Sequence, residues 1–240
     1  MTQFFFKRFE RMPEFLVRML PRLWCRAPAS HNRVYLTFDD GPHPERTPLI
    51  LDVLEEFGLC ATFFLIGKRA QRHPGLVQRL AARHRLGNHT WNHPNLRWRG
   101  PRVFAAELEP TRKLLEDLAG TAVRLFRPPY GAFGPSLTRY ARRHDHQIVL
   151  WQVLPWDFRP ERSAAQIADC LVRHTTAGSI IVLHDGHACA GKTAAALRVA
   201  LPVLLEHGFT FAPLPNCDLS GAPAASRSSQ TAGSFFGISF

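Results

Sequence analysis

Residues 34–42, Val34-Tyr35-Leu36-Thr37-Phe38-Asp39-Asp40-Gly41-Pro42, decide how this chain is built. The run 34–38 is rich in β-branched and aromatic residues, which reads as a buried strand. Two carboxylates follow it at once, and Gly41-Pro42 turns the chain away. Reactive side chains at the carboxyl end of a buried strand are how barrel-like α/β enzymes assemble a site.

The same strand-then-helix unit recurs outward from this point. Strands are expected at 34–38, 61–65, 85–89, 122–126, 147–151, 179–183 and 209–212. Helical periodicity fits 47–57, 74–83, 102–118, 135–143, 163–175 and 192–206. Gly58 and Gly208 follow two of these helices where a left-handed cap is wanted. Seven strands alternating with helices imply a parallel sheet. A complete eightfold barrel takes about 250 residues, so an incomplete or distorted α/β barrel is the expected fold.

Four further polar clusters follow later strands: His89-Thr90-Trp91-Asn92-His93, Arg127-Pro128-Pro129-Tyr130-Gly131, Pro155-Trp156-Asp157-Phe158 and Leu183-His184-Asp185. Neighbouring residues of an extended segment point to opposite sides, so Asp39 and Asp40 are expected to take different jobs, one binding a cation and one receiving a proton. The i, i+4 spacing of His89 and His93 suits two imidazoles on one side of a helical turn, which Pro94 ends, so the pair is expected on a short loop and not a long helix. No Glu follows His89, so the zincin pattern is absent, as is the zinc-deaminase pattern. Two His and one Asp make a three-ligand site with open positions. Arg127 can keep a carboxylate ionised, the stiff loop can present the Tyr130 N–H to an oxyanion, and His184 is placed as a general acid. The other nine histidines, His187 among them, read as surface or structural.

Apolar residues make up 45% of the 240 and charged residues 20%, as in a soluble globular protein. The net charge is +11. Residues 1–33 carry seven Lys/Arg against two Asp/Glu, so nearly half of the excess is amino-terminal and the body is only moderately basic. No basic-aromatic recognition motif accompanies the charge, and no nucleic-acid partner is expected. Five scattered cysteines without a C-x-x-C pair indicate neither a thiolate zinc site nor a disulfide framework. Residues 1–26 are too broken for a signal peptide or a membrane span, which favours a cytoplasmic or peripheral-membrane address. Their mixture of Phe, Leu, Met, Arg and Lys fits an amphipathic helix on an anionic membrane or, equally, one packed on the domain. Pro13 and Pro21 argue against one continuous helix. The expected organisation is a basic segment at 1–32, a catalytic domain at 33–214 and a Ser/Ala/Gly-rich disordered tail at 215–240.

The T-F-D-D-G-P, H-x-x-x-H, R-P-P-Y-G and L-H-D blocks, in that order, resemble the polysaccharide deacetylase family, carbohydrate esterase family four, over about residues 33–214. The resemblance implies a distorted (β/α)7 barrel. It also implies Asp39 as catalytic base, Asp40, His89 and His93 as metal ligands, and Arg127 as the group positioning Asp39. The Tyr130 amide would stabilise the oxyanion and His184 would be the acid, tuned by Asp157. Trp156 and Leu183 would line an acetyl pocket. The fourth block departs from the family, with Asp157-Phe158 where Asp-Trp is usual.

The implied activity is metal-dependent removal of N-acetyl groups from a glycan of chitooligosaccharide, peptidoglycan or exopolysaccharide type. One divalent ion is implied; these N/O ligands suit zinc, with cobalt, nickel or manganese as alternatives. A deacylase of a membrane glycolipid or other small amide or ester is the alternative substrate reading, and an inactive glycan-binding protein the alternative class.

Overall fold

The computed structural model describes residues 10–20, 23–27 and 31–215. After a short helix α1 (Glu14–Met19), the order is β1 (Arg33–Gly41), α2 (Thr47–Glu56), β2 (Thr62–Leu65), α3 (Gly67–Arg72), α4 (Pro74–Ala81), β3 (Arg85–Asn88) and α5 (Pro101–Ala119). Then come β4 (Leu125–Phe126), α6 (Pro135–Arg143), β5 (Gln147–Ile148), α7 (Ala164–His174), β6 (Ile180–His184), α8 (Ala190–Glu206) and β7 (Thr210–Phe211). All seven expected strands are present, β4, β5 and β7 much shortened, and the six expected helices lie within two residues of their predicted ends. Helix α1 falls within the amphipathic segment expected at 1–26, far shorter than that segment; α3, a six-residue turn following directly on β2, has no counterpart among the expected helices. Gly58 and Gly208 adopt φ of 63° and 78°, the left-handed conformation their positions required.

The strands run in the order β5-β4-β3-β2-β1-β6, every pair parallel, with β7 added beside the start of β1. The sheet curls until its ends meet. Beyond β5 the chain continues to Val153, which bridges Ile181 of β6. Gln152 N–H donates to Ile180 O (2.9 Å) and Val182 N–H to Val153 O (3.0 Å). This is a distorted (β/α)7 barrel.

Alternation along the strands sorts the side chains into two populations. On β1, Val34, Leu36 and Phe38 join Ile181 and Leu183 of β6 in the cluster shared with the helices. Tyr35 packs with Phe64, Leu125, Val149 and Ile180 inside the barrel. Thr37 and then Asp39 continue this inward row, so the barrel passes from an apolar floor to a polar top.

The amino-terminal segment is built into this barrel. Trp24 N–H donates to Ile148 O (3.0 Å), Leu150 N–H to Trp24 O (2.8 Å) and Ala27 N–H to Gly178 O (3.1 Å), so residues 24–27 fill the seam between β5 and β6. Met12 N–H donates to Gln152 O (2.7 Å). Met12, Leu23 and Cys25 are buried against Phe104, Leu108 and Ile148. Over its described residues the segment follows the packed reading, although Phe15 and Met19 of α1 face outward. Residues 1–9 and the tail from 216 lie outside the described residues. Among the described residues, no helix is long and apolar enough to cross a membrane.

Candidate active site

The polar clusters converge on a cavity of about 400 Å³ at the carboxyl ends of the strands. Asp39, Asp40, His89, His93, Tyr130, Trp156 and His184 line it together with Pro128, Trp151, Leu154, Phe158, Arg159, Val182 and His187.

The two neighbouring carboxylates do not diverge as alternation predicted: both face this cavity. Asp40 has φ 72°, and the register of β1 against β2 shifts between Asp39 and Gly41. This bulge rotates Asp40 back to the side that Asp39 already faces. Gly41 permits the turn, because a Cβ there would stand 2.3 Å from Asp185 Oδ2.

His89 and His93 come together by an irregular loop and not by a helical turn. Thr90 and His93 have φ of 68° and 61°, and the two rings lie 4.9 Å apart. Asn88 Oδ1 accepts from Thr90 N–H (2.8 Å). Glu107, reaching up from α5, accepts from the N–H groups of Trp91 (2.9 Å) and Asn92 (2.8 Å). Five of the seven non-glycine positive-φ residues among the described residues are Asp40, Thr90, His93, Tyr130 and Trp156. Strain of this kind costs on the order of 1–3 kcal/mol per residue and persists where the surroundings enforce it.

Asp40 Oδ1 lies 3.0 Å from His93 Nε2 and 3.4 Å from His89 Nε2, yet this buried oxygen has no hydrogen-bond partner. Burial opposes the charge on Asp40, but contacts with His187, His89 and His93 hold its pKa well below the carboxylate range. His89 Nδ1 lies 2.7 Å from Arg127 O; a carbonyl only accepts, so Nδ1 carries the proton and Nε2 offers its lone pair to the cavity. Asp40, His89 and His93 are thus a His/Asp set, buried except for the partly exposed His93, able to hold a metal ion, and the orphaned oxygen and the fixed tautomer both fit one.

Arg127 is completely buried. It donates to Asp39 Oδ1 (2.7 Å), Thr37 Oγ1 (2.7 Å), Val149 O (3.3 Å) and Leu150 O (2.9 Å), and lies 4.2 Å from the centre of the Phe64 ring. Burial pulls its pKa down and the Asp39 charge opposes this. Asp39 Oδ1 is therefore engaged, while Oδ2 stands 4.0 Å from His89 Nε2.

Across the cavity, His184 Nδ1 lies 2.8 Å from Asp157 Oδ1. Asp157 Oδ2 accepts from His184 N–H (2.8 Å) and Thr193 Oγ1 (2.9 Å). Burial would lower the imidazole pKa, but the Asp157 charge and hydrogen bond, aided by Asp40 and Asp39, raise it to about 9. Asp185, the next residue, is buried beneath the β1 bulge against Thr47. Desolvation, reinforced by the Asp40 charge, pushes its carboxyl up to about 7.

Leu183, expected in an acetyl pocket, lies instead in the core shared with the helices. Strand alternation is the reason: Val182 shares the inward face with His184 and lines the cavity with Leu154 and Trp156. Phe158 packs edge-on against His184 at 4.9 Å, and Arg159 lies 4.1 Å from the centre of the Trp156 ring. Not expected at the site from the sequence are His187, whose Nε2 lies 2.8 Å from Asp40 Oδ2, and the supports Thr37, Glu107 and Thr193. The signal for His187 was present, three residues after His184. The supports sit inside helices and strands, where nothing local marks them.

Residues 26–149 match the family Polysaccharide deacetylase. The chain is 36% identical over 204 residues to a chitooligosaccharide deacetylase of Azorhizobium caulinodans, covering 80% of this chain and 97% of that protein. Among solved structures, the Bc1960 peptidoglycan N-acetylglucosamine deacetylase is 35% identical with a TM-score of 0.76, covering 79% of this chain and 89% of that one. A family 4 acetyl xylan esterase from Clostridium thermocellum, solved with a cobalt ion, is 28% identical with a TM-score of 0.71, covering 75% and 87%. The chain belongs to the polysaccharide deacetylase family.

Proposed function

We propose that this protein is a metal-dependent hydrolase that removes N-acetyl groups from an N-acetylated glycan and releases acetate. The observation that carries the reading is the β1 bulge: it turns Asp39 and Asp40 into one cavity, with Asp40 against two imidazoles and His184 facing them. Asp40, His89 and His93 would hold the ion, with zinc the first expectation for such N/O ligands. A divalent cation bound there supplies Lewis-acid polarisation and acidifies water.

Asp39 Oδ2 takes a proton from water as its oxygen bonds to the acetyl carbon. Arg127, locked by four donated bonds, pairs with Asp39 and fixes its direction. The Tyr130 N–H is assigned to the developing oxyanion. His184 Nε2 protonates the departing nitrogen as the C–N bond breaks, and Asp157 holds the other ring nitrogen as N–H. The products are acetate and a free amine, or an alcohol when the substrate is an O-acetyl ester. Leu154, Trp156 and Val182 form an apolar wall suited to the acetyl methyl.

The relatives act on chitooligosaccharide and peptidoglycan by name, and both classes are substrates to try. Acetate release should be measured on chitooligosaccharides, peptidoglycan fragments, acetylxylan and a glycolipid extract, with and without a chelator. Chelator-sensitive release from a glycan supports the reading. No release from any of them by metal-loaded protein overturns it in favour of a glycan-binding role.

A further inference from the structure

The loop leaving β6 folds back over the bulge in β1. Asp185 N–H donates to Asp39 O (3.2 Å). A Cβ on Gly186 would stand 2.1 Å from Asp40 O, so only glycine lets the two backbones approach this closely. Arg46 and Arg69 each place Nη1 3.2 Å from Gly186 O, and Arg69 also donates to Asp40 O. These contacts fix the loop against the Asp40 backbone, and the next residue is His187.

The two oxygens of Asp40 then have separate neighbours. Oδ1 faces His93 and His89, whereas Oδ2 lies 2.8 Å from His187 Nε2. His187 does not join the three-residue set whose ligand atoms are mutually close. Its ring stands 5.6 Å from that of His184 and nearly perpendicular to it. A carboxylate has one soft torsion at its end, and holding one oxygen sets where the other points.

We infer that His187 is a positioning residue that holds Asp40 by Oδ2 from outside the metal set, keeping Oδ1 turned toward His89 and His93. This rests on the metal site proposed above. Partners of this kind typically change metal affinity about 10–100-fold.

The test is the zinc dissociation constant, measured by competition with a chromophoric chelator, for the wild type, His187→Ala and His187→Gln. The side-chain amide of Gln carries a donor about where the imidazole Nε2 stood. Binding should weaken about 10–100-fold in His187→Ala and return to within a few-fold of wild type in His187→Gln. The half-exposed position makes both variants safe for folding, and metal-free melting should be unchanged. Wild-type affinity in His187→Ala overturns the inference. Equal weakness in both variants also overturns it and marks His187 as a direct ligand. A wild type that binds no zinc removes the three-residue site itself, and this inference with it.

Discussion

The two ends of the barrel solve opposite problems. At the carboxyl ends of the strands, buried charges face one another and five non-glycine residues stand at positive φ. At the opposite end, Tyr35, Phe64, Leu125, Val149 and Ile180 close an apolar floor, and residues 24–27 complete the seam with ordinary backbone hydrogen bonds. The upper end spends stability to hold groups where chemistry needs them; the floor and seam supply it. Removing apolar burial should therefore cost folding and leave the site's chemistry intact, while altering the carboxylates should do the reverse.

The largest expected effect tests the seam. A chain starting at Ser30 loses the strand partners of Ile148, Leu150 and Gly178 along with the buried Met12, Leu23 and Cys25. It should be insoluble or lack a cooperative melt. A soluble truncated protein with wild-type melting would show that the segment merely rests on the barrel.

Next comes the chemistry. Asp39→Asn should keep its metal and lose turnover by about 10²–10⁴-fold, the usual cost of losing a general base. His89→Ala should instead lose the metal, because two remaining ligands compete poorly with water. Metal analysis beside acetate release separates them; metal loss in Asp39→Asn would exchange the roles of the two carboxylates.

A smaller effect concerns pH. The raised pKa of His184 keeps its acid form at neutral pH, so activity should be present below about 9 and fall as pH rises through that value. An ordinary histidine titrates near 6.5. Asp157→Asn removes the main upward influence, and the alkaline limb of kcat/KM should move down by about one to two pH units. An unmoved limb would assign the titration to another group.

The smallest returns to the seam. Leu23→Ala removes a buried side chain at a cost of roughly 2–3 kcal/mol. At about 2–4 °C per kcal/mol for a chain of this size, melting should fall by roughly 4–12 °C with kcat unchanged. A change in kcat without a change in melting would link the seam to the site.

Strand-and-helix periodicity made the barrel legible, because burying one face of each element writes a local pattern. The clusters were legible because Asp, His and Arg at strand ends are few and chemically distinctive. What escaped was geometry. Nothing in Asp39-Asp40 announces that a left-handed residue turns both carboxylates inward, and the spacing of His89 and His93 suggested a helical turn that Thr90 and His93 replace with positive φ. Leu183 faces away from the cavity because the L-H-D block belongs to a strand with two faces, which the motif alone does not show.

The sequence by itself determined the order of elements, the parallel sheet and which residue types could act, since each rests on interactions within a few positions. Only the tertiary structure decided that His187 reaches Asp40, that Glu107 holds the loop between the histidines, and that residues 24–27 close the barrel. Those contacts join groups that lie far apart in sequence, most of them by tens to more than a hundred positions. No local preference encodes them; they exist because closing the barrel brings distant backbones within hydrogen-bonding reach.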